Sequence, residues 1–190
     1  MQTGNLLRSF QGDRRDGHNF STTMIISPDG QTSFISYSLD NRFRVGKLRT
    51  DQTYRIQMKH LSTGQTVGTL EGRGDQVAIA VSPDGETLAV TTREDGIEVW
   101  DLTTQRSRRF EHHFEQKSWF LSFVKFSPDG ERIISAAKDA INVWQRHTGK
   151  LLHSMPAHKY HHAPSASFSP NGQFAVTGSA NGTIQVWGFL

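Results

Sequence analysis

Short segments in which apolar and polar residues alternate recur along the chain, separated by polar turns. Residues 24–26 pair with 34–37 in this way, 77–81 with 87–90, and 119–126 with 133–134. Between the two members of each pair stands the same tetrapeptide, Ser-Pro-Asp-Gly. Proline presets φ and glycine tolerates positive φ, so the tetrapeptide predicts a tight turn joining two strands. A further run, Ile-Glu-Val-Trp at 97–100, alternates with a period of two, as a half-buried strand does. No segment carries a convincing helical period. The pattern predicts an all-β chain.

The pattern also repeats. Ser-Pro-Asp-Gly starts at Ser27, Ser82 and Ser127, and Ser-Pro-Asn-Gly at Ser169, so the starts lie 55, 45 and 42 residues apart. Ile-x-Val-Trp occurs at 97–100, 141–144 and 184–187, while Ile-Gln-Met-Lys at 56–59 fills the same slot without the aromatic. A third marker follows in step: Thr3-Gly4, Thr63-Gly64, the variant Thr104-Gln105, and Thr148-Gly149. Three markers in one order define four repeats, about 3–62, 63–103, 104–147 and 148–190, within a single domain. A period of ~40–45 residues with four short strands is that of a propeller blade.

With these markers the chain resembles the WD40 repeat family over nearly its whole length. Trp100-Asp101 is the literal signature, Trp144-Gln145 and Trp187-Gly188 are variants, and His158 and His113 stand where the family's Gly-His histidine falls. The resemblance implies a β-propeller of four-stranded blades. It also implies a structural hydrogen-bond network of His, Ser or Thr, Asp and Trp in each blade. Repeat three carries His113, Ser135, Asp139 and Trp144; repeat four carries His158, Thr177 and Trp187, with Asn181 in the acidic slot. Repeat two has Thr91, Asp95 and Trp100 with Arg73 in place of the histidine, and repeat one keeps only Ser36 and Asp40. A buried aspartate must be paired, and imidazole and indole N–H groups can bridge it across strands. The Ser/His/Asp set is therefore read as scaffolding rather than as a catalytic triad.

Four repeats leave the closure of the ring open. Residues 5–10 read as an outer strand that could complete the C-terminal blade. Three arrangements fit: a small ring closed within one chain, a ring shared by a homodimer, or a part of a larger propeller.

Composition narrows the chemistry. There are no cysteines among 190 residues, which removes disulfides, thiolate metal sites and a catalytic thiol. The first twenty residues hold no secretory signal pattern, and no run approaches the ~18 apolar residues that span a membrane, so the expected setting is cytoplasmic. A net charge of +3 is small for a domain held on nucleic acid by phosphate contacts.

Repeat one departs from the others. Its acidic and tryptophan slots are separated by an insertion, roughly residues 41–55, holding Arg42, Arg44, Lys47, Arg49 and Arg55 against one acid, Asp51. A second register places Asp51-Gln52-Thr53 in the usual turn. Insertions in repeats map to loops, often on the binding face. This one reads as a solvated protruding hairpin, as a contact site for an acidic partner or, as the least favoured reading, as a nucleic-acid contact. The loops before each first strand add Arg14, Arg15, Arg73, Tyr160 and His161 as candidate partner contacts. His158, His161 and His162 with His153 invite a metal reading, but no acid or cysteine lies in that loop, so no metal or other cofactor is expected.

The functional reading is a non-enzymatic scaffold that presents loops of a rigid propeller to protein or peptide partners. An enzyme would need converging acids or histidines on the innermost strands. Residues 22–26, 77–81, 120–126 and 165–168 contain none. A piece of a larger propeller without independent activity, and a ligand-binding propeller, are the alternatives.

Overall fold

The structure, a computed structural model, describes residues 6, 9, 20–38, 53–74, 76–92, 96–110, 123–136, 140–156, 165–178 and 182–189. Among the described residues, fifteen strands fall into four antiparallel sheets, and each sheet takes its strands in chain order from the inside out. Blade one comprises β1 (Phe20–Ile26), β2 (Thr32–Ser38), β3 (Thr53–His60) and β4 (Thr66–Arg73). Blade two comprises β5 (Gln76–Val81), β6 (Thr87–Thr92), β7 (Gly96–Asp101) and β8 (Arg106–Phe110). Blade three comprises β9 (Phe123–Phe126), β10 (Arg132–Ala136), β11 (Ala140–Gln145) and β12 (Leu151–Pro156). Blade four has β13 (Ser165–Phe168), β14 (Phe174–Gly178) and β15 (Ile184–Gly188), and is three-stranded among the described residues. Each sequence repeat is offset from a blade by one strand, so β4, which opens repeat two, is the outer strand of blade one.

The four Ser-Pro turns are built alike. In the first, Gly30 N–H donates to the Ser27 carbonyl at 2.9 Å and Thr32 N–H to Ser27 Oγ at 2.9 Å. Gln31 N–H donates to Asp29 Oδ1 at 3.0 Å, so the aspartate side chain closes the turn on itself. Gly30, Gly85, Gly130 and Gly172 all take positive φ, 68–75°, where an L side chain is strained.

Strand alternation then decides the packing. Ile97 and Val99 face the following blade while Glu98 and Trp100 face the preceding one, and the pattern holds in each Ile-x-Val-Trp run. Among the described residues the core is accordingly three clusters, each spanning one blade boundary. Phe34, Tyr54, Ile56, Met58 and Leu70 meet Ile79, Leu88, Val90 and Trp100 of blade two. Ala89, Ile97, Val99 and Phe110 meet Val124, Ile133 and Trp144 of blade three. Phe123, Ile134, Ala136, Ile141 and Val143 meet Ala166, Ala175 and Phe189 of blade four. Among the described residues no cluster joins blade four back to blade one, so the described strands form an open arc.

Two expectations change here. Leu6 and Ser9, the described residues of the segment expected to form an outer strand, are not in a strand, and Leu6 is exposed. The insertion of repeat one ends earlier than residue 55, because Thr53–His60 is strand β3. Its register pairs Ser38 with Tyr54 and Tyr37 with Arg55, and the Arg55 guanidinium meets Glu71 at 2.7 Å.

Candidate interaction site

Antiparallel order sends the connections to two ends of the arc. The Ser-Pro turns and the turns after each third strand share one end, as the Leu61 N–H to Gln31 carbonyl bond of 2.8 Å shows. The second and first strands open and close at the other end, where the sequence reading sought partner contacts. Of those candidates, Arg73 is exposed at the end of β4, with its carbonyl accepting from Arg109 Nη2 at 3.5 Å. Arg14, Arg15, Arg42, Arg44, Lys47, Arg49, Tyr160 and His161 lie outside the described residues.

The expected blade network divides in the same way. Trp144 Nε1 donates to Ser135 Oγ at 3.0 Å, and Trp187 Nε1 donates to Thr177 Oγ1 at 3.0 Å. His113, Asp139, His158, Asn181 and Asp95 lie outside the described residues.

Blade two is different, and Thr91 is a correction. Counted from the Ser-Pro turn, the position of Ser135 and Thr177 is held by Val90, not Thr91. Thr91 is one residue later and therefore on the opposite face, where its hydroxyl donates to the Ala78 carbonyl at 3.3 Å and accepts from Ala78 N–H at 3.0 Å. Valine offers no hydroxyl, and the indole of Trp100 turns to the preceding blade. Its Nε1 donates to the Tyr54 hydroxyl at 2.9 Å, and that hydroxyl donates to Glu98 Oε2 at 2.5 Å. Ser107 Oγ donates to Glu98 Oε1 at 2.7 Å, and Arg109 Nη2 stands 3.7 Å from Oε2. Tyr54, Glu98 and Trp100 are all buried. Burial first, and the adjoining Glu98 carboxylate second, push the Tyr54 phenol far above its ordinary range. The phenol stays protonated and serves as a fixed donor.

A second tie crosses the boundary between blades two and three. Arg146, just past the tryptophan of blade three, is buried and reaches the Ser-Pro turn of blade two. Its Nη1 meets Asp84 Oδ2 at 2.5 Å, Nε and Nη2 donate to Thr87 Oγ1 at 3.1 and 2.6 Å, and the guanidinium lies 5.9 Å from the Phe126 ring centroid. Partial burial raises the Asp84 pKa, but Arg146 and the Ser82 hydroxyl outweigh it and hold the carboxyl at about 2. The sequence reading missed both ties.

Beside them lie two grooves, each of about 600 Å³, at the Ser-Pro end. The groove between blades two and three is lined by Glu86, Thr87, Val99, Asp101, Arg106, Arg108, Arg146 and His147. The groove between blades one and two is lined by Phe34, Met58, Val67, Pro83, Leu102 and Gln105 together with Asp29 and Asp84. Asp29, Asp84 and Asp101 are each held below the ordinary carboxylate range. Asp29 is lowered by the Ser27 hydroxyl and the Gln31 N–H, and Asp101 by the Thr104 N–H and hydroxyl. No group of three or more His, Asp or Glu side chains suited to a metal ion occurs among the described residues.

The WD domain, G-beta repeat family model matches residues 64–101, 104–145 and 149–188, more than half of the chain. The chain belongs to the WD40 repeat family. It is 25% identical over 166 residues to WD repeat-containing protein AAC3 of Dictyostelium discoideum, covering 84% of this chain and 33% of that protein. It is 26% identical over 174 residues to WD repeat-containing protein 82 of Drosophila melanogaster, covering 87% of this chain and 49% of that one. The chain thus spans a third to a half of the length of these relatives. In fold it is similar to a chain of Kuenenia stuttgartiensis hydrazine synthase, with a TM-score of 0.66 at 21% identity, over 88% of this WD40 chain and 46% of that one. The described residues of this WD40 chain contain no helix long and apolar enough to cross a membrane.

Proposed function

We propose that the chain is a non-enzymatic interaction scaffold, in a cytoplasmic setting, that presents surface loops on a rigid WD40 arc to protein or peptide partners. The observation that carries this reading is the continuity of the blade boundaries. Each is a buried apolar cluster, and two carry a polar tie, at Tyr54–Glu98–Trp100 and at Arg146–Asp84. Loops rooted on such a frame lose little freedom when a partner docks, so more of the contact energy appears as affinity. The basic insertion, with Arg42, Arg44, Lys47 and Arg49, supplies a cationic contact and favours an acidic segment as partner.

A random peptide library displayed on phage and selected on the folded chain tests this. The expected result is enrichment of acidic peptides whose binding weakens at least tenfold when the four basic residues are changed to glutamate together. Selection of peptides that bind equally well to that variant would place the contact elsewhere. Failure to enrich any peptide would count against the scaffold reading.

A further inference from the structure

In this arc every blade offers a back face to the next blade. On blade three that face includes Ile134, Ile141 and Val143, each 0% exposed beneath Ala166, Ala175 and Phe189 of blade four. The same positions on blade four are Val176, Ile184 and Val186, and they are 39%, 72% and 66% exposed. At the other end of the arc, Met24 and Ile26 hold the front-face positions that Val124 and Phe126 hold in blade three. They are 67% and 58% exposed. One chain therefore leaves bare both halves of a blade boundary that it builds three times elsewhere.

Two smaller series are left open at the same places. A methyl group added at Gly85, Gly130 or Gly172 would lie 3.9, 3.6 or 3.7 Å from Cδ of Pro28, Pro83 or Pro128, so each turn glycine stacks on the proline of the preceding blade. Gly30 has nothing within 4 Å, and Pro170 is exposed. Likewise Arg146 reaches Thr87, and Arg132 lies over the Phe189 ring at 5.7 Å, in each case linking a blade to the same turn position of the one before. The unmatched members of that series are Leu61 and Phe174, the latter exposed.

We propose that the back of blade four docks on the front of blade one of a second copy, so that two chains close one ring of eight blades. The seam pairs Pro170 with Gly30, Phe174 with Leu61, and Ile184 and Val186 with Met24 and Ile26. The contact is head-to-tail, and a head-to-tail contact ends growth only when rotation closes it. Twice four blades lies within the range of four to eight that propellers adopt. The back face of blade four is apolar throughout β14 and β15, which suits burial against Met24 and Ile26.

Light scattering after size exclusion tests this on the wild-type chain, Val186→Asp, Ile26→Asp and an equimolar mixture of the two variants. The expected masses are twice 21.4 kDa for wild type and 21.4 kDa for each variant alone. The mixture regains dimer, because one of its two seams is wild type on both sides. Both positions are exposed in the single chain, so circular dichroism and melting of the variants should match the monomeric fold. A monomeric wild type overturns the proposal, and so does a polydisperse series of larger species. A dimer that Val186→Asp breaks and Ile26→Asp leaves intact overturns it too, because blade four would then meet another blade four.

Discussion

The indole N–H of Trp100 and the hydroxyl of Tyr54 meet at 2.9 Å across the boundary between the first two blades. The two residues lie 46 positions apart, and the hydroxyl in turn donates its own hydrogen bond to the carboxylate of Glu98. A single phenol thus satisfies a buried donor and a buried anion. The repeat elsewhere assigns the indole to a serine or threonine of its own blade, as in Trp144–Ser135.

Tyr54→Phe keeps the ring and removes only the oxygen. Glu98 and the indole N–H then lose a partner inside a buried boundary, and the expected cost is about 1–3 kcal/mol. A double-mutant cycle with Trp100→Phe, read by urea unfolding, should give a coupling of at least about 0.5 kcal/mol. Additive effects would show that the two side chains are not energetically linked.

Asp84 gives stability a defined pH dependence. Its folded pKa is depressed from 3.8 to about 2, chiefly through Arg146 and Ser82 acting against partial burial. A depressed carboxyl contributes fully above its unfolded value and loses that contribution as pH falls through its folded value. The urea midpoint of wild type should therefore exceed that of Asp84→Asn by a margin that is full above about pH 5 and shrinks toward pH 2. Arg146→Met should remove most of this dependence. A margin independent of pH would contradict the assignment.

Gln105 takes φ of 55°, where Gly64 and Gly149 take 75° and 72° in the matching turns. A left-handed conformation strains a residue with a Cβ. Gln105→Gly should raise stability by about 0.5–1 kcal/mol, the strain relieved exceeding the added freedom of the unfolded glycine. A fall in the thermal midpoint would show that the turn carries no strain.

Scaffold and surface should separate under mutation. Ser135→Ala and Asp139→Ala are each expected to destabilise the chain by about 1–3 kcal/mol through loss of buried polar partners. Changing Arg42, Arg44, Lys47 and Arg49 together should leave stability within about 0.5 kcal/mol. Full stability of Asp139→Ala would refute the structural role that the family resemblance implies for it.

Strands and turns were legible because they depend on local signals repeated four times. Ser-Pro-Asp-Gly, or Ser-Pro-Asn-Gly in blade four, marks each first turn, and Ile-x-Val-Trp in three of the blades announces which residues face forward and which back. The face of Thr91 emerges only on counting from the Ser-Pro turn, which sets it one residue beyond the position of Ser135 and Thr177. Every residue of Thr87–Thr92 is buried, so this strand shows no polar side to fix its register. Tyr54 escaped notice for a different reason. It stands two residues before Ile56, as Asp95 and Asp139 stand before Ile97 and Ile141, but behind an insertion that hid the alignment. Arg146 looks like any polar turn residue until the neighbouring blade is placed against it. Contacts between blades depend on tertiary geometry, which a single repeat does not encode.

The central claim is that blade boundaries bind the arc into one rigid unit on which loops are displayed. Native-state hydrogen exchange tests it most directly. Amides of β3, β6, β7, β10 and β11 should exchange through a single opening with one free energy, equal to that of global unfolding in urea. Separate free energies for blades one, two and three would mean that the boundaries part independently, and the rigid-scaffold account would fail.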